Sequence, residues 1–255
     1  MPTQKFQYRS QQSFNTLTGF AEWVTIRTSR WGWWATLAAG LFLGSTAYAN
    51  EAIELFEQVA LNTPALDQTQ CSYTTIGSSE DGGLEERFTA EATDAWQLIK
   101  VNSTRPSAEA IEDYTDAAKQ RQRRSHPLAF DLAKLAQMDS LQMPAEDAET
   151  ATFTFLLRPD EKRENQEFLE KMSGTLIVSK TELRPLTFIL ETSEPFSPAP
   201  TFKIKQFRQE MTFRYDETLL TSVVAEIKTH FRGKAFIFKT IKDDRLVKFS
   251  DYNCH

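Results

Sequence analysis

Hydrophobic residues run along this chain in three rhythms, and each rhythm predicts a different kind of element. From Trp31 to Leu43 they are nearly continuous. From Asn50 to about Met138 they recur mainly at helical spacing, and beyond Thr150 they alternate with polar residues. A period near 3.6 puts apolar side chains on one face of a helix, and a period of two puts them on one face of a strand.

In the helical part, "NEAIELFEQVAL" (Asn50 to Leu61) sets Ile53, Phe56, Val59 and Ala60 on one side, with Glu54 and Glu57 elsewhere. This predicts a short amphipathic helix, capped by Asn50 and stopped by Pro64. Residues 67–83 read as a strand followed by a turn or loop. "AWQLIKVN", Ala95 to Asn102, reads as another strand. Ser107 then stands at the cap position of a second helix in which Ile111, Tyr114 and Ala118 share a face. Arg121, Arg123 and Arg124 fall at its C-terminal end, where the helix dipole favours cations. A third short helix is expected over Leu128 to Met138, ahead of an acidic loop, "PAEDAET".

The alternating part predicts strands. "TATFTFLL" alternates Phe153, Phe155 and Leu157 against Thr152, Thr154 and Leu156. "GTLIVSKTELRPLTFIL" gives two such runs about a turn, a hairpin. In "TFKIKQFRQEMTFRYD" the parity slips: Phe202 and Ile204 are even-numbered, while Phe207, Met211, Phe213 and Tyr215 are odd. A one-residue slip turns side chains to the other face unless a bulge absorbs it, which predicts a bend near Gln206. "SVVAEIKTHFRG" keeps Val223, Ala225, Ile227 and Phe231 odd, and Asp243-Asp244 reads as a turn into a last strand, "RLVKFSDYN". "SEPFSPAP", Ser193 to Pro200, reads as a stiff loop at a sheet edge or over a pocket. The fold class expected is α+β: a strongly curved antiparallel sheet, an incomplete barrel, with about three short helices on its concave side or mouth. Twelve of the nineteen phenylalanines follow Thr150, which makes the concave side apolar.

The continuous run has a separate meaning. Trp31 to Leu43 as a helix reaches about 20 Å, against a hydrocarbon core of about 30 Å. Arg27 and Arg30 precede it and Ala47-Tyr48-Ala49 follows, the layout of a secretory signal peptide cleaved after Ala49. The alternative is a buried helix opening a cytosolic domain. The signal reading makes residues 1–49 a leader and 50–255 one domain, exported to the periplasm. The domain then carries 25 basic and 34 acidic residues, net −9, a balance unsuited to nucleic acid. Cys71 and Cys254 lie near its two ends, and in an oxidising compartment an even pair invites a disulfide; the alternative is two buried thiols.

Four stretches, "AWQLIKVNSTRPS" before a helix, "ATFTFLLRP", "FLEKMSGTLIVSKTELRP" and the closing "RGKAFIFKTIKDDRLVKFSDYN", carry a resemblance. Over about Trp96 to Asn253 the chain resembles the periplasmic lipoprotein-sorting (LolA/LolB-like) half-barrel family, in an uncharacterised exported branch. The resemblance implies an apolar hollow, capped by helices, that holds acyl chains of a lipid or lipoprotein.

Catalytic signatures are not found. His126, His230 and His255 are scattered without metal-ligand spacing, and there is no GxSxG, GxGxxG or phosphate-binding loop. No catalytic residue, metal or cofactor is therefore assigned, and the chain is read as a non-enzyme. The candidate cavity lining is Leu176, Val178, Phe188, Leu190, Met211, Phe213, Ile227 and Phe231, which serve equally as a ligand wall or as ordinary core. From Thr201 to His255 the balance turns to net +4. There Lys228, His230, Arg232 and Lys234 recur every second residue, either as a solvated outer face or as a ladder for anionic headgroups or an acidic partner. Two functions follow: an acyl carrier, or a cell-envelope interaction or stress-sensing module with its hollow filled.

Overall fold

The computed structural model describes residues 45–63, 71–80, 82–90, 92–122, 131–158, 169–236 and 239–254, without the side chains at 45–49, 117 and 119–122. The leader expected over residues 1–49 falls outside the described residues, apart from the backbone of 45–49. So do His126, His255, Arg123 and Arg124.

The described residues hold three α-helices, a 3-10 turn at Met138–Ser140 and eleven strands. Helix α1 (Ser45–Leu61) leads to β1 (Cys71–Ser79), β2 (Gly82–Phe88) and β3 (Trp96–Val101). Helices α2 (Ala108–Gln122) and α3 (Leu132–Leu135) follow, then β4 (Gln142–Glu146), β5 (Thr150–Leu156), β6 (Met172–Ser179) and β7 (Arg184–Thr192). The short β8 (Phe196–Ala199) precedes three long strands, β9 (Phe202–Asp216), β10 (Thr221–Ala235) and β11 (Lys239–Cys254). One antiparallel sheet holds them all, in the order β3-β2-β1-β11-β10-β9-β7-β6-β5-β4, with β8 on β9. The sheet is not closed. Its edges are β3 and β4.

Bulges bend the sheet where the sequence parity slips. Arg232 pairs with Gln206 and Gly233 with Ile204, so Lys205 is the extra residue, next to the bend expected at Gln206. The slip returns Phe202 and Ile204 to the face that carries Phe207. A second bulge, at Ala225, puts Val224 rather than Val223 opposite Phe213. A third leaves Leu186 unpaired between Thr187 and Pro185.

Several expectations are corrected. β2 starts at Gly82 and Gly83, inside the turn or loop expected at the end of residues 67–83, and runs on through Phe88, where no strand was expected because Glu85, Glu86 and Arg87 replace its apolar pattern. The acidic "PAE" of residues 144–146 belongs to the edge strand β4, where Pro144 is tolerated because one side needs no ladder bond. The third helix is one turn, Leu132–Leu135, capped by the Asp131 side chain accepting from Lys134 N–H at 3.3 Å. Asp243-Asp244 is no turn: β11 runs straight through it, and the chain reverses earlier, at Phe236. Asn50 lies inside α1 rather than capping it. Ser107 does cap α2, its Oγ accepting from Ala110 N–H at 3.2 Å. On α2 Tyr114 and Ala118 are buried with Ala110, while Ile111 is 46% exposed.

The order of strands brings the two ends of the sheet's chain together. β1 pairs with β11, Cys71 stands opposite Cys254, and the two are disulfide-bonded across a sequence separation of 183.

Candidate functional site

Helix α1 buries Ala52, Phe56 and Val59, at the i, i+4, i+7 spacing of one helical face. Phe56 meets Phe153 and Phe155 of β5 edge-on, with ring centroids 5.5 and 5.7 Å apart. The helix therefore lies on one face of the sheet, over β5 to β7, and that face carries the core.

Across it the pairing registers line up one row of residues. Phe153 stands opposite Leu176, Leu176 opposite Phe188, Phe188 opposite Met211 and Met211 opposite Ile227. The row continues through Val247, Gly77, Leu84 and Val101. Nine strands at about 4.8 Å spacing make this row about 38 Å along the sheet. All its members are apolar. Burial falls along it: Phe153, Leu176 and Phe188 are fully covered, while Val247, Gly77, Leu84 and Val101 are half-buried.

The eight candidate lining residues divide on this frame. Leu176, Val178, Phe188, Met211, Phe213 and Ile227 belong to one buried cluster with Phe56 and Val59, and Leu190 packs half-buried against it. Phe231 is buried apart from them, stacked on Phe202 at 6.1 Å and 8°. Sequence parity alone missed Val247, Gly77 and Leu84. No apolar periodicity marks a glycine, and Gly77 joins the row only through its two partners.

At the β1 end, Tyr73 gathers Phe88, Trp96, Phe249 and Tyr252 within 5.2 to 6.0 Å. The Tyr252 hydroxyl donates to the Val224 carbonyl at 2.8 Å, and burial pushes its phenol pKa up.

The opposite face carries the predicted ladder. β10 pairs with β11 without a slip, so Lys228, His230, Arg232 and Lys234 share that face. Most of the ladder's charge is matched. Asp244 takes a bidentate pair from Arg232, at 3.0 and 2.6 Å, and contacts His230 Nδ1 at 2.6 Å. Arg232 first, and His230 after it, hold the Asp244 carboxyl below its ordinary value. Lys228 pairs with Glu226 at 3.0 Å. Lys234 has no ion pair among the described residues. His230 faces Arg208 and Asp244 across the strands rather than a hydroxyl or thiol nucleophile.

Among the described residues no group of three His, Cys, Asp or Glu is placed to hold a metal ion. Nor is any described helix long and apolar enough to cross a membrane. No protein-family model, curated protein or solved structure matches this chain.

Proposed function

We propose that the protein is an exported, non-catalytic carrier that holds the acyl chain of a lipid or lipoprotein along the concave apolar row. The observation that carries this reading is the row itself, covered by α1 at the β5 end and half-open where Val247, Gly77 and Leu84 follow. A chain lying there removes apolar surface from water at about 25 cal/mol per Å², with no polar group required. The resemblance to the lipoprotein-sorting half-barrels, the leader-like first 49 residues and a periplasmic location belong to the same proposal.

A fluorescent long-chain fatty acid titrated into the protein tests it. Gly77 supplies the means of control, because a Cβ there meets its nearest atoms, Leu84 O and Val247 Cγ2, at an ordinary 3.9 Å. Gly77→Phe starts from a Cβ that meets no clash and sets a ring in the row. Saturable binding that falls at least about tenfold in G77F, with the fold intact by circular dichroism, supports the carrier. Equal binding by both proteins, or none by either, refutes it.

One observation favours a second reading. Phe56 and Val59 of α1 already fill the β5 to β7 end of the concavity. A filled hollow suits an envelope interaction or sensing module that binds a protein partner at a sheet edge, and such a module leaves the fatty acid unbound.

A further inference from the structure

The three longest strands do not end level with their neighbours. β1 pairs with β11 as far as Arg245, and β7 pairs with β9 as far as Arg208. Beyond those points residues 202–206, 231–235 and 239–244 continue side by side as a projecting ribbon, flanked by β8. At its far end, next to the Ala235–Lys239 pair, stands Phe236, whose N–H donates to the Thr201 carbonyl at 2.5 Å.

This projection carries lysines that have no ion pair among the described residues: Lys203, Lys205, Lys234, Lys239 and Lys242. Lys203 even stands directly opposite Lys234, and like charges facing across strands destabilise a sheet. Nearer the body of the sheet the pattern reverses: Arg232 is matched by Asp244, Arg245 by Asp243 and Arg208 by Glu191. Phe236, at the end of β10, is 63% exposed and holds φ at 54°. That left-handed conformation is costly for a bulky residue, and core packing does not repay it here.

We propose that this tip is a membrane-contact site for anionic lipid headgroups, with the lysines on the phosphates and Phe236 entering the interface. Each lysine brought to an anionic surface strengthens binding by roughly fivefold. Unpaired lysines alone would suit an acidic protein equally. The exposed aromatic at the end of the projection selects the bilayer, whose interface accepts a ring without a preformed pocket. The site needs nothing from the concave row.

Vesicle flotation of the full chain tests this, with phosphatidylcholine vesicles set against vesicles about one-third phosphatidylglycerol. The apolar stretch Trp31 to Leu43 is common to every variant, so the differences between variants carry the result. Binding is expected to require the anionic vesicles and to weaken several-fold between about 0.1 and about 0.5 M salt. Lys203→Glu with Lys239→Glu is expected to lower it at least about tenfold. Phe236→Gly relieves the positive φ, so its thermal midpoint holds or rises while binding falls several-fold. Equal binding to both vesicle types, no binding to either, or unchanged binding by both variants overturns the proposal. Loss in the lysine variant with none in F236G also overturns it, in favour of an acidic protein partner.

Discussion

Gly174 is held to its identity by an aromatic ring. A Cβ there would lie 2.6 Å from Phe155 Cε2 and 2.9 Å from Cζ. The ring has little room to retreat, since it stacks on Phe188 at 6.2 Å and meets Phe56 at 5.7 Å. Gly174→Ala is therefore expected to cost about 1–3 kcal/mol, by overpacking. Thermal melting checks this; an unchanged midpoint means the ring has space after all. Asp244 makes the opposite kind of contribution, exposed and electrostatic. Its depressed pKa means that the folded state favours the carboxylate more than the unfolded chain does. The stabilisation is thus complete above the ordinary carboxylate value and fades as pH falls through the lowered one. Solvent screens a pair this exposed, so Asp244→Asn should cost under about 1 kcal/mol at neutral pH. Urea melts of both proteins at neutral pH and near pH 3 should show that difference shrinking in acid, and a difference that grows instead contradicts the assigned sign.

Among the elements, the disulfide links β1 to β11 and so fixes the seam between the earliest and latest strands of the sheet. In the chain-entropy model a closed loop of this length removes about 5 kcal/mol of unfolded-state freedom, with measured values usually lower. Cys71→Ser with Cys254→Ser is expected to lower stability by about 2–5 kcal/mol, read as a shift in the denaturant midpoint. An unmoved midpoint would mean that the β1–β11 ladder holds the seam alone. How legible each element was follows its physics. β5, β6, β7 and β10 were readable because one face is buried and the other wet, which writes a period of two. The bulge near Gln206 was readable as broken parity. β2 was hidden because glycines and charges replace the apolar residues of a strand, and β4 because an edge strand needs no apolar pattern. Of the candidate site, Leu176, Phe188, Met211 and Ile227 were legible as residues that avoid water. Their alignment into one row was not, because register depends on bulges and pairings between strands far apart in sequence.

At the scale of the whole molecule the two faces of the sheet divide the work. One carries a row that is apolar across nine strands and is covered by α1 over only part of its breadth; the other bears the Lys228 to Lys234 ladder, largely self-matched. The lysine-rich tip is the far end of β9, β10 and β11, and a carrier that must reach a bilayer has use for both row and tip. Neither feature depends on the other, which is why they are tested separately. The most direct measurement is native mass spectrometry of the protein taken from its own cells. A carrier should appear at the mass of the disulfide-bonded polypeptide plus one acyl-bearing molecule, released by organic solvent. The polypeptide mass alone, from repeated gentle preparations, would contradict the proposal that the concave row holds a chain.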